Sequence, residues 1–432
     1  MLALALPALG SLIAEPAFLI VDAALIGHLG VTPLAGLGIA SSVLQTMVGL
    51  MIFLAYATTP AVARRFGAGD PGRAVSVGID GMWLALGVGA VLGLAGWFAT
   101  PGLVAVFGPS DAVAEQARTY LGISMAGIPA MLIVFAATGL LRGMQNTVTP
   151  LWIAGAGFAA NAGLNVVLIY GLHLGIAGSA IGTVVAQWGM VAAYAVIATR
   201  LARRHRASLR PQREGMMGSA RAGGWLFLRT LSLRVAFLLP VFVATSMGTA
   251  ELAGFQLVFT IFSTAAFALD ALAIAAQALV GRGLGAGDVA FVRRVMNRTL
   301  AWGAWFGVIV GALIAALSGV IGTGFTGDPA VGALIQPALI VLAVAQPLAG
   351  LVFVLDGILI GAGDARYLGL TGLVNLAVFA PLLLIVALTG VSGAAGLAWL
   401  SASWFIGYLA ARFATLALRA RGTDWMVAGA AV

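Results

Sequence analysis

The sequence predicts an all-α polytopic membrane protein, with twelve transmembrane helices in two six-helix lobes related by a parallel internal repeat. Three observations predict it. Hydrophobic residues make up 62% of the 432 positions and charged residues 8%, against about 25% charged in a soluble domain, so a water-facing surface cannot be built. Mean hydropathy is +1.08. Twelve apolar runs are long enough to cross hydrocarbon as helices, and helices satisfy their own backbone hydrogen bonds there. Finally, Arg64-Arg65-Phe66-Gly67-Ala68-Gly69-Asp70 returns as Arg282-Gly283-Leu284-Gly285-Ala286-Gly287-Asp288, position 282 against 64, an offset of 218. The same offset carries Leu34-Ala35-Gly36 to Leu252-Ala253-Gly254, Gly139 to Gly357, Gly143 to Gly361 and Gly175-Ile176-Ala177-Gly178 to Gly393-Ala394-Ala395-Gly396. In a membrane protein such a duplication points to a two-lobed carrier with its site between or inside the lobes.

The first span, near 5–27, holds Glu15 and Asp22 together with Pro7 and Pro16. The second, 34–61, ends before Arg64 and Arg65, and the third, 77–100, opens on Asp80, close enough to its start to reach the interface. The fourth, 118–141, is closed by Arg142; the fifth, 148–170, carries Asn161 and Asn165; the sixth, 176–199, carries Thr183 and stops at Arg200. The seventh, 224–246, opens with Arg229, expected to snorkel to the interface, and Arg234, which either snorkels or pairs with an acid. Asp270 and Gln277 lie in the eighth, 252–279; Arg293, Arg294 and Arg298 flank the ninth, 296–321; Asp356 falls late in the tenth, 332–361. The eleventh, 367–388, follows Arg366, and at the end of the twelfth, 394–416, Arg412, Arg419 and Arg421 read as the basic residues that close the chain. Several tryptophans fall near span ends, as an aromatic belt requires.

All 22 basic residues are arginine, and they concentrate in alternate connections, which excludes a nucleic-acid footprint and places both termini and the even-numbered loops in the cytoplasm. An even number of spans per half makes the repeat parallel. The lobes are expected at 1–200 and 223–432, joined by a cytoplasmic linker at 201–222. With no cysteine and three scattered histidines, neither a disulfide framework nor a metal cluster is expected, and no cofactor. The first apolar stretch runs on into Asp22 without a cleavage site and reads as a retained helix; because it starts almost at Met1, a start further upstream is compatible with it.

Charged groups inside hydrocarbon cost several kcal/mol, so they are functional candidates. Glu15 and Asp22, seven apart, share one face of the first helix, about 10 Å apart along its axis. Pro7 and Pro16 free backbone carbonyls and suit a bending element. Such an acid could load a proton on one side and release it on the other, or coordinate Na⁺; the alternative is a carboxyl that only holds helices together. Asn161 and Asn165 share a face, and Thr183 could join them. The repeat aligns Asp22 with Pro240, Asp356 with Thr138 and Asp270 with Ile52, so the lobes carry different polar equipment. Glu15 and Asp22 are too far apart for a tight catalytic dyad, so an enzyme is not expected.

The runs from Glu15 to Gly30, from Ala276 to Arg282 leading into Gly285-Ala286-Gly287-Asp288, and from Leu355 to Asp364 together resemble the multidrug and toxic compound extrusion (MATE) family, in its DinF-like branch, over essentially the whole chain. The resemblance implies a central cavity opening alternately to each side, and export of organic, often cationic and amphipathic compounds coupled to entry of H⁺ or Na⁺. It matches Asp22 to a first-lobe cation-site aspartate, Pro7 to a bending proline, Asn161 and Thr183 to partners of that site, and Asp356 to a helix-10 acid implicated in some members. Some DinF-like members carry an aspartate where this chain has Asn165, so this site holds one charge fewer, and Glu15 would compensate.

The expectation is therefore a secondary active antiporter that exports small amphipathic or cationic organic compounds in exchange for H⁺, with Na⁺ second. It acts by alternating access as a monomer in the cell (inner or plasma) membrane, with organic substrates and membrane lipid as its partners and no nucleic acid. Cation coupling falls to Asp22, Asn161, Asn165, Thr183 and Glu15; Asp356, Asp270 and Gln277 are second-lobe polar candidates. A lipid-linked precursor flippase on a related scaffold is the alternative; it would favour a strongly cationic cavity, whereas nearly all the arginines read as loop residues. A passive channel fits the duplication less well.

Overall fold

A computed structural model describes residues 1–325 and 329–429. Among them twelve helices are long and apolar enough to cross a membrane: α1 (Leu2–Gly27), α2 (Val31–Gly67), α3 (Pro71–Ala105), α4 (Asp111–Gly143), α5 (Val148–Gly171), α6 (Gly175–His205), α7 (Arg213–Met247), α8 (Thr249–Gly285), α9 (Val289–Ile321), α10 (Gly332–Gly361), α11 (Ala365–Thr389) and α12 (Gly393–Arg421). Each apolar run has its helix, and most helices outrun it, because intrahelical hydrogen bonding does not stop where the hydrocarbon does. Nearly all of the 22 arginines read as loop residues, yet only Arg206 and Arg210 lie in a connection; the rest are on helices. The linker shrinks accordingly, from 201–222 to Arg206–Gln212 between α6 and α7.

Four helices are locally irregular. α2 is interrupted at Ile52, whose backbone stays right-handed helical while its carbonyl is shared by Ala55 N and Tyr56 N, α4 contains a 3₁₀ turn at Met125–Gly127, and α5 and α12 contain π turns at Val167–Gly171 and Ser403–Tyr408. α1 is continuous through Pro7 and Pro16, although Pro16 offers no N–H to the Leu12 carbonyl.

Two compact units divide the chain, Leu2–Gly223 and Gly224–Ala428, referred to below as the first and second lobes. The duplication is visible in the backbone of each. Gly30 and Gly248, which precede α2 and α8, have φ of 123° and 153°, a conformation that side chains other than hydrogen rarely allow. Asp70 caps α3 by accepting from Arg73 N at 2.9 Å, and Asp288 caps α9 by accepting from Phe291 N at 2.8 Å.

Helix crossings repeat as well. A Cβ on Gly139 would lie 3.0 Å from the Ala55 carbonyl oxygen, and one on Gly357 would lie 2.6 Å from that of Ala273. The crossing of α4 on α2 is thus reproduced by α10 on α8, with small residues letting backbones touch. Gly357→Ala is expected to cost roughly 1–3 kcal/mol, as overpacking does, whereas Gly38→Ala, with open space around it, is expected to be neutral. Thermal unfolding of the two detergent-solubilised variants checks this.

Candidate functional site

Two buried polar clusters stand out, one per lobe. In the first lobe α1, α4, α5 and α6 converge on Asp22, which is 2% exposed. Its Oδ1 accepts from Ser179 Oγ at 2.6 Å and from Asn165 Nδ2 at 2.8 Å, and its Oδ2 accepts from Tyr120 Oη at 3.1 Å. Asn165 Nδ2 also donates to Asn161 Oδ1 at 3.1 Å, and Asn161 Nδ2 donates to Thr183 Oγ1 at 2.9 Å. Buried Asn165 Oδ1 accepts no hydrogen bond.

Among the described residues, the result is one carboxylate inside a shell of neutral hydroxyls and amides. Asp22, Asn161, Asn165 and Thr183, expected from the sequence, are brought together. Tyr120 and Ser179 were not expected, although both bond Asp22 directly. Glu15 lies on α1, but its side chain falls outside the described residues. The repeat partners of these residues in the second lobe are Pro240, Ala338, Phe379, Leu383, Leu397 and Ser401. Around them the second lobe is aromatic: Trp404 stacks on Phe237 and Tyr408, and meets Phe259, Phe262 and Phe405 edge-on.

The second lobe's cluster joins α7, α10 and α12. Asp356 lies between two guanidinium groups: Arg229 is bound through both its Nε (3.2 Å) and its NH2 nitrogen, and Arg412 through NH2 at 2.6 Å. Arg229, Asp356 and Arg412 are 7%, 7% and 4% exposed. Two expectations are corrected here. Arg229 does not snorkel, because Asp356 offers it a charged partner inside the lobe. Nor is Arg412 a loop residue closing the chain; it is a buried helix residue. At the same offset the first lobe places Ser11, Thr138 and Tyr194, and Thr138 and Tyr194 share a hydrogen bond of 2.9 Å. One pairing geometry thus serves as a neutral bond in the first lobe and an ion pair in the second.

Other candidates lie elsewhere. Gln277 is buried and Asp270 half-buried on α8, two turns apart. Asp80, expected at the interface, is 1% exposed and accepts from Gln212 N at 2.7 Å, just before α7; a helix start carries unpaired N–H groups that a carboxylate satisfies. Arg234, left open between snorkelling and pairing, is exposed.

The MatE family model matches residues 7–167 and 226–386. The chain is 31% identical over 379 residues to Protein DETOXIFICATION 44, chloroplastic, of Arabidopsis thaliana, covering 84% of this chain and 72% of that protein. It is 30% identical over 299 residues to DNA damage-inducible protein F of Escherichia coli, covering 66% of this chain and 63% of that protein. Among solved structures, the Vibrio cholerae MATE transporter VcmN in the bent form superposes with a TM-score of 0.87 at 20% identity, over 97% of this chain and 95% of the other.

Proposed function

The chain belongs to the MatE family of multidrug and toxic-compound transporters, and from that premise we propose that it is a cation-coupled antiporter whose coupling ion loads at Asp22. It exports small amphipathic or cationic organic compounds, with H⁺ as the first choice of coupling ion and Na⁺ as the second. It works as a monomer in the cell membrane, with both termini cytoplasmic. The observation that carries this reading is the Asp22 carboxylate, whose hydrogen-bond partners among the described residues are all neutral and adjustable.

Each neighbour can serve either loading state. With Asp22 ionised, Ser179, Tyr120 and Asn165 all donate to it. Once Asp22 carries a proton, one of its oxygens becomes a donor. Either hydroxyl can then rotate to accept, or the Asn165 amide can turn its unpartnered oxygen inward. For Na⁺ the same shell offers the oxygens of Asp22, Ser179, Asn165 and Asn161, neutral groups around one charge. The ion shifts the transporter only through differential affinity for its two states; opening the shell to one side changes how many donors Asp22 keeps, which supplies that difference.

Efflux of a fluorescent dye from proteoliposomes under an imposed pH gradient, or an imposed Na⁺ gradient, tests the reading. Drive by pH alone supports H⁺ and drive by Na⁺ alone supports Na⁺; drive by neither removes the antiporter reading. Within this scheme Tyr120→Phe removes a donor to the ionised form, a hydrogen bond to a charged group worth roughly 1.5–3 kcal/mol. The apparent affinity for the coupling cation is expected to tighten about tenfold or more, read from the cation concentration at half-maximal dye transport.

A further inference from the structure

The connection Arg206–Gln212 is pinned along one face of α3. Ser76, Asp80 and Trp83, spaced to share that face, each bond its backbone. Ser76 Oγ accepts from Ser208 N at 3.2 Å, Asp80 Oδ1 accepts from Gln212 N at 2.7 Å, and Trp83 Nε1 donates to the Leu209 carbonyl at 3.1 Å. Ser208 Oγ folds back to bond Arg210. All of these groups belong to the first lobe.

What the strap and the ends of the helices beside it display is strongly one-sided. Arg203, Arg204, Arg206, Arg210, Arg213 and Arg221 are exposed, and none of them forms an ion pair among the described residues. The only acid between 200 and 222 is Glu214. Beside them are apolar side chains without cover: Leu209 is 44% exposed, Trp83 43% and Met217 60%. Orientation and an aromatic belt ask for basic residues and tryptophan near span ends; they do not ask for a strap hydrogen-bonded to that tryptophan, nor for exposed leucine and methionine among the charges. Guanidinium groups pair with phosphate, and the apolar side chains suit the boundary between headgroups and acyl chains. We infer that the strap is a binding site for anionic phospholipid, held by Arg203, Arg204, Arg206 and Arg210 through the headgroup phosphate and by Leu209, Trp83 and Met217 through the upper acyl chain. Pinning to α3 fixes the arginine-bearing backbone before the lipid arrives, which lowers the ordering cost of binding.

The test is native mass spectrometry of the full chain released from micelles holding equal phosphatidylglycerol and phosphatidylcholine. Retained phosphatidylglycerol is expected to exceed phosphatidylcholine at least tenfold. A basic residue near an anionic surface contributes about fivefold, so R204Q/R206Q is expected to cut that ratio at least tenfold. The charge-matched pair R293Q/R294Q, exposed at the start of α9, should change it less than twofold. Trp83→Phe keeps every arginine but loses a pin, and an intermediate loss is expected. Equal retention of the two lipids, or equal effects of the two double variants, overturns the proposal, the latter showing bulk charge rather than a built site. Displacement of the lipid by millimolar inorganic phosphate also overturns it, in favour of a free-anion site.

Discussion

Asp22→Asn is expected to abolish gradient-driven efflux while leaving the protein folded. The amide is nearly isosteric with the carboxylate, and two of its neighbours are hydroxyls that can reverse their hydrogen bonds. Stability should therefore change little, by about 1 kcal/mol. What disappears is the group that alternates between charged and cation-loaded forms. Proteoliposomes carrying the variant should show dye movement at the protein-free background under either gradient, with a thermal midpoint close to that of the parent. Asp22→Leu makes the contrast: it takes the carboxylate acceptor away from the buried hydroxyls of Ser179 and Tyr120, at roughly 1–3 kcal/mol for each group stranded, and should lower the midpoint clearly. Transport retained by Asp22→Asn would remove Asp22 from the coupling step.

The second large effect is on stability. Asp356→Asn takes the carboxylate away from two buried guanidiniums, and breaking a buried ion pair from one side typically costs about 3–5 kcal/mol. The variant is expected to express poorly or to unfold at much lower temperature. The triple variant R229S/D356T/R412Y installs the first lobe's own residues at the same three positions and strands no charge. It should recover most of the lost stability, because replacing a whole buried ionic cluster by neutral groups is often near neutral. Fluorescence-monitored unfolding of the three proteins in one detergent decides the matter. If Asp356→Asn is as stable as the parent and loses only coupling, the carboxylate is a second ion site rather than a brace.

How much of this was legible beforehand follows from what each signal depends on. Twelve helices could be read because a bilayer demands a fixed length of apolar chain, and that requirement is written into consecutive residues. Asp22 announced itself as a charge in hydrocarbon, and Asn161 and Asn165 as amides on one helical face. Tyr120 and Ser179 did not, since a tyrosine in a span reads as an interface residue and a serine as a packing residue. Arg229 and Arg412 were misread for the opposite reason: arginines near span ends are usually markers of orientation, and only the fold brings Asp356 between them. The repeat held the missing signal. Tyr120 faces Ala338 across the offset, Ser179 faces Leu397, and Arg229 and Arg412 face Ser11 and Tyr194. At each of these four positions the two halves differ in polarity or charge, and the more polar residue of the pair is buried in a cluster.

Six helices per half has a consequence for ancestry. A half-length unit with an even number of crossings returns the chain to its starting side, so a second copy joined to it enters the membrane in the same orientation as the first. In a homodimer of such units every residue exists twice, and a substitution that removes an acid from one copy removes it from both. Joining the genes end to end lifts that constraint. One half was then free to keep an acid in a neutral shell while the other filled the equivalent space with aromatic rings and braced itself with an ion pair. The chain carries that division of labour in the two interiors, while the glycine turns before α2 and α8 and the crossings at Gly139 and Gly357 still match.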